Sequence, residues 1–301
     1  MSDKKDLSPR NEIDFTTSPS FKKTTRRSKW KQILLYIIIT CITATGLIIF
    51  IHLGTQYLIS NKLEELDQKT IQSMKKNGLS QGAGITSSKI RYNHDIFSVM
   101  AKKTIFKEIG DRRIVWDTSM TKIPAIGDVE IIDRGSGMSE SYSIGANEKR
   151  VIRYNELNNE RYIDFYYPTI DYDYLSQELS IAIGLEENKL IEVALSFKKP
   201  VTLSKLGDTL GVKNVDWLWV NRKSPEEMER LDSKWEEDKW KLKRGEDAYG
   251  FSVSAEHPYT EYPTDITISG AVISGTPKEL ARFQGMEIIR ASVLGVTIDK
   301  Y

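Results

Sequence analysis

The apolar positions of this chain fall into three patterns, and each predicts a different kind of element. In residues 33–51, ILLYIIITCITATGLIIFI, they crowd every side of a helix, and no Asp, Glu, Lys or Arg occurs from 32 to 61. These 19 residues, at about 1.5 Å of rise each, cover roughly the 30 Å of a bilayer core. No polar face remains on which such a helix would rest in the interface, so the pattern predicts a span. A secretory signal would place a shorter apolar core nearer the start, whereas here the core follows 31 residues, which predicts an uncleaved anchor. Cys41, the only cysteine, reads as one more apolar side chain of the span. Beyond it, Leu63, Leu66 and Met74 continue among charges as far as Gly78, a helix-ending signal, so the helix is expected to extend as a stalk over 55–79. SQGAG at 80–84 reads as a linker.

The second pattern is short and alternating. KIRYN, TIFKEI, RRIVW, DVEII and RVIRY, set between Gly and Asp, predict strands across 88–154. In the third pattern, from Lys189 on, strand and helix signals take turns. IEVALSF is a strand, LSKLGDTL a short helix and VDWLWV a strand; DITISGAVIS, a helix from Thr276 to Gly285, and MEIIRASVLGVTI repeat the order. Thr276, Pro277 and Glu279 supply the cap, the first-turn proline and the capping carboxylate, and Ser224, Pro225 and Glu227 do the same for a helix running to Gly245. Met228, Leu231, Trp235 and Leu242 give that helix a narrow apolar face, with charge elsewhere. The expected fold class is α+β: one N-terminal transmembrane helix, then an extracytoplasmic domain whose C-terminal part is two βαβ units in a ferredoxin-like arrangement with the charged helix inserted. The expected boundaries are an arm over 1–31, the span over 32–54, the stalk over 55–79, a β-rich region over 80–160 and a C-terminal domain over 161–301.

Charge adds an orientation. The first 31 residues carry nine Lys or Arg and four acids, whereas the 25 residues beyond the uncharged run carry only four Lys. The excess of positive charge keeps the N-terminus in the cytoplasm and exports the rest. A basic arm beside a bilayer also suits anionic headgroups. The exported part has no cysteine, so it does without disulfides.

Catalytic patterns are missing from the sequence. With only His52, His94 and His257, no HExxH can be written. Ser269 and Ser274 lack the glycine two residues before that a nucleophile elbow requires. Gly82/Gly84 and Gly135/Gly137 lack the third glycine of a dinucleotide loop, and read as linker and turn. We expect no enzyme, no metal and no cofactor. The remaining ligand candidate is RYIDFYYPTIDYDYL: Tyr166, Tyr167 and Tyr172 could stack on sugar rings, with Asp171 and Asp173 on one strand face beside them. The weightier alternative is that these tyrosines pack inward while the aspartates cap turns. In the arm, Phe21, Lys22, Lys23, Arg26, Arg27 and Trp30 interleave aromatics with bases, a pattern that beside a span reads first as a topology signal with an interfacial tryptophan, and not as nucleic-acid binding.

Several segments also carry a family resemblance. NKLIEVALSFKKPVTLSKL (188–206), VDWLWVN (215–221), YGF (249–251) and ISGAVISGTPKELARF followed by IIRASVLGVTIDKY resemble the C-terminal domain of sigma-factor regulators, membrane-bound proteins of Gram-positive bacteria. FKKTTRRSKWKQ with the span, and the YNHDIF and IFKEIGDRRIVW segments, are similar to the N-terminal module of that family. The resemblance covers most of the chain from about residue 21. It implies an anti-sigma role, in which a cytoplasmic segment holds an extracytoplasmic-function sigma factor while the exported domain responds to the envelope, alone or through a second membrane protein. The arm departs from many such proteins in having neither the His nor the Cys of a zinc motif. Its implied contact is therefore a helix formed on binding, with Phe15 and Phe21 as anchors. The rival expectation is an envelope sensor that binds glycan or peptide and touches no sigma factor.

Overall fold

The computed structural model describes residues 19–74, 80–145, 148–233, 243–253 and 266–301. The chain divides into two compact units, Met1–Leu58 and Ile59–Tyr301. One helix, α1 (Pro19–Met74), begins in the first and ends in the second. Within it, Lys23–Gln68 is long and apolar enough to cross a membrane. The large apolar side chains of 33–51 are exposed. The expected span and stalk are thus one helix, and helical backbone also reaches back into the expected arm as far as Pro19. Gly78 lies outside the described residues.

The unit Ile59–Tyr301 is α+β and mainly β. It contains β1 (Ser80–Gln81), a four-stranded meander of β2 (Ile85–His94), β3 (Ser98–Ile109), β4 (Arg112–Pro124) and β5 (Glu130–Asp133), and a hairpin of β6 (Met138–Gly145) and β7 (Glu148–Asn155). There follow α2 (Leu179–Ile183), β8 (Lys189–Thr202), α3 (Leu203–Leu210), β9 (Val215–Val220), α4 (Pro225–Asp232), β10 (Tyr249–Ser252), β11 (Thr267–Gly275), α5 (Pro277–Leu280) and β12 (Ile289–Asp299).

The large sheet runs β1-β10-β9-β11-β8-β12, with every pair antiparallel. Two strand-helix-strand units, β8-α3-β9 and β11-α5-β12, are therefore interleaved: each strand of one neighbours a strand of the other. Alternation along β8 shows why the sheet needs two covering layers. Ile191, Val193, Leu195 and Phe197 face α2, α3 and α5, where Leu179, Leu203, Leu206, Leu210, Leu280 and Phe283 close one core. Ala194, with Trp217, Trp219, Val272 and Val293, faces the other way, onto residues 163–172 and α4. A strand buried on both faces reads as a continuous apolar run, as IEVALSF does.

Local chemistry sets the element ends. Ser224 Oγ accepts the Glu227 N–H while Glu227 Oε2 accepts the Ser224 N–H, at 3.2 and 3.0 Å. Glu279 Oε2 accepts the Thr276 N–H at 3.0 Å in the same way. Gly285, at φ +74, ends the 3-10 turn after α5 in a conformation that favours glycine.

Two expectations need correction. SQGAG is no linker: Ser80 and Gln81 pair with Gly250 and Tyr249 as the edge of the large sheet, and Ala83 is buried. Gly245 does not end the charged helix. The helix is described only as far as Asp232, with Trp235 and Leu242 outside the described residues, and Gly245 opens a 3-10 turn pressed onto Ile163. A Cβ there would meet Ile163 O at 2.6 Å.

Candidate functional site

The arm residues converge on one helix face. Lys23, Arg26, Arg27 and Trp30 stand at i, i+3, i+4 and i+7 in α1, and all four are exposed. This stripe joins three positive charges to an indole just before the uncharged run begins. Phe21 and Lys22 belong to the same helix, and Phe15 lies outside the described residues.

The tyrosine-rich segment divides between core and surface. Tyr166 and Tyr172 are buried and meet edge to face at 5.1 Å beneath the large sheet. The Arg290 guanidinium locks the segment by donating to Tyr167 O and to Ile170 O. Asp171 and Asp173 point into solvent, with the Asp171 N–H donating to Asp232 Oδ1 at 2.9 Å. The expected glycan platform of Tyr166 and Tyr172 with these two carboxylates therefore does not form, because a side chain sealed in a core offers no face for stacking. Burial raises the pKa of the Tyr172 hydroxyl, which thus stays protonated.

Tyr167 leaves the core and lines an open cleft of about 390 Å³ with Trp219, Arg222, Lys223, Glu227, Asp247 and Tyr249. Tyr167 and Trp219 make an edge-to-face wall, with ring centres 4.7 Å apart. Arg222 lies 4.2 Å from the centre of the Tyr249 ring, a cation–π contact. Glu227 is already engaged in its capping box, and Asp247 accepts from Gln81 Nε2 at 3.4 Å. The Tyr249 hydroxyl donates to Gln81 Oε1 at 3.2 Å. Burial, and then the Asp247 and Glu227 charges, push the Tyr167 hydroxyl up to about 12, so it is a donor at neutral pH. Aromatic walls, a phenol and two cations suit an acceptor-rich ligand with an apolar face. The sequence signal for this cleft was VDWLWVNRK, where Trp217 and Trp219 share a strand face just before two bases; Gln81 and Tyr249 could not have been added from spacing.

Buried charges tie the β-rich region to the large sheet. Lys107 on β3 pairs with Glu192 on β8 at 2.7 Å, with both side chains almost fully enclosed, and its Nζ lies 4.4 Å from the centre of the Trp116 ring. Glu192 Oε2 also accepts the Val296 N–H at 3.2 Å, in an irregular stretch of β12. Arg153 on β7 donates to Asp164 and Glu246. Burial opposes its charge, but the two carboxylates more than offset this and raise its pKa. On β9 the Asp216 carboxyl is pushed up to about 7, first by burial and then by the Glu192 and Glu108 charges, with the Ser274 hydroxyl acting the other way.

Comparison of the chain with family models, curated proteins and solved structures returned no match. Among the described residues, no group of three or more His, Cys, Asp or Glu side chains is placed to hold a metal ion.

Proposed function

We propose that this is a single-pass cell-membrane protein, N-terminus in the cytoplasm, that regulates transcription by holding an extracytoplasmic-function sigma factor. The observation that carries the proposal is α1: one helix presents a stripe of three bases and a tryptophan, becomes an uncharged apolar span, and ends in a domain with its own cores. In this reading the arm binds protein and not nucleic acid. Phe15, Phe21, Lys22, Lys23, Arg26, Arg27 and Trp30 are the residues proposed to make the contact, and the protein acts by binding and relay without catalysing a reaction. The interleaved strand-helix-strand units are read as a ferredoxin-like core extended by β10 and β1, with α4 inserted. The resemblance of residues 188–301 to the C-terminal domain of sigma-factor regulators agrees with this reading. Purification of the full chain from host membranes after cross-linking is the test. A sigma factor should co-purify, and should be lost with Arg26→Glu/Arg27→Glu; recovery of none with either chain would overturn the proposal.

The cleft favours a second reading, an envelope-ligand module. Muramyl peptide binding to the full chain, weakened by Tyr167→Ala or Arg222→Ala and indifferent to the arm charges, would support it.

A further inference from the structure

The four-stranded meander ends in two open edges of opposite charge. Among the described residues, no strand pairs with the outer side of β2 or of β5, and residues 88–94 and 130–133 are exposed throughout. An unpaired edge is a template for a further strand, and its side chains decide which strand is admitted. Register across the sheet sorts those side chains by face. Tyr92, Ala101, Thr121 and Ile131 stand side by side through all four strands, and so do Asn93, Met100, Lys122 and Glu130. Because side chains alternate along a strand, Ile90 and Tyr92 share the face of Ile131, whereas Lys89 and Arg91 share the face of Glu130. Edge β2 thus offers apolar groups on one face and bases on the other, and edge β5 offers an apolar group on the first face and an acid on the second. Glu130 meets Lys122 of its own copy at 3.5 Å, with its side chain still 55% exposed.

Strand direction supplies the second half of the match. All three strand pairs of the meander are antiparallel, so β5 runs opposite to β2. A second copy translated along the sheet brings its β5 beside β2 as one more antiparallel neighbour, with each face kept on its own side. The register that sets Ile131 opposite Ile90 also sets Glu130 opposite Arg91 and, one residue before β5 begins, Val129 opposite Tyr92. Like edges fit badly: two β2 strands paired about Ile90 set Lys89 against Arg91 on both sides, and like charges directly opposite are destabilising. We infer that the domain pairs with a second copy of this chain head to tail, β5 of one copy extending the meander of the next at β2. Such a contact is heterologous, so each assembly keeps one free edge at either end and can grow beyond a dimer. With only 4 residues in β5, the contact is small and depends on concentration.

Disulfide trapping tests the pairing in the full chain, purified in detergent micelles. Cys41 is the only cysteine, so a Cys41→Ser background leaves engineered positions alone to react. Within one copy, residues 90 and 131 stand three strand spacings apart, about 14 Å, which is beyond the reach of a disulfide. Any link between them therefore joins two copies. Ile90→Cys and Ile131→Cys both replace exposed side chains. Mixed in equal amounts and oxidised with copper phenanthroline, the two single-cysteine chains should give several-fold more disulfide dimer than either chain oxidised alone. Lys89→Glu/Arg91→Glu in the Ile90→Cys chain should remove most of that excess, and a chain carrying both cysteines should give a ladder beyond the dimer. Equal yields from the mixture and from the separate chains would overturn the inference, since random collision or like-with-like pairing produces them. So would the absence of any link, an excess indifferent to the charge reversal, or a double-cysteine chain that stops at the dimer.

Discussion

Residues 33–51 of α1 and residues 190–197 of β8 are similarly apolar, yet the side chains of the first run are exposed while the second is enclosed on both faces. Length and interruption account for the difference. The α1 run is long enough to cross hydrocarbon and carries no ionised group, so its backbone can be satisfied within one helix. The β8 run is short, needs neighbours for its backbone groups, and contains Glu192 near its start. That carboxylate is tolerable only because Lys107, 85 residues away, arrives to pair with it.

The comparison breaks most severely at the span. Ile38→Lys/Ile42→Lys places two charges near its middle, at about 2.5 to 3.5 kcal/mol each. The chain should leave the membrane fraction in a flotation assay.

In the sheet, Lys107→Met should cost about 3 to 5 kcal/mol by leaving Glu192 buried without its partner. Denaturant unfolding followed by tryptophan fluorescence would read this, and Lys107→Met/Glu192→Leu should recover part of the loss. Equal destabilisation by the single and double changes would mean that shape, not charge pairing, holds β3 to β8.

Asp216 gives a pH-dependent version of the same point. Its folded pKa of about 7 lies above the unfolded value, so the folded state binds the extra proton. Its contribution is fully present below about pH 4 and is lost as pH rises towards 7. Asp216→Asn should therefore gain stability relative to the parent chain between pH 5 and pH 8, by on the order of 3 kcal/mol. A difference in melting temperature that is flat with pH would refute it.

The smallest expected effect is at the helix starts. Ser224→Ala and Thr276→Ala should each cost about 1 kcal/mol, and restoring Asp at either position should recover most of it.

Where an element depends on neighbours in sequence, its limits were legible. LSKLGDTL and VDWLWV coincide with α3 and β9, and both predicted capping boxes form. The strands of 88–154 were legible too, apart from β6, whose MSESYSIG carries a weak apolar pattern. The candidate site was much less so. Tyr166, Tyr167 and Tyr172 look alike in sequence, but two of them enter a core and one lines a cleft, according to which side of the chain meets Trp217 and Trp219.

By itself, the sequence determined the uncharged apolar run, the basic stripe before it and the ends of most short elements. Each depends on spacing, charge or capping within a few residues. Only the tertiary structure decided that Ser80 and Gln81 complete a sheet, that Glu192 has a partner, and that the cleft exists. Each of these needs groups far apart in the chain, such as Gln81 and Tyr249 at 168 residues, and such contacts leave no local period to read.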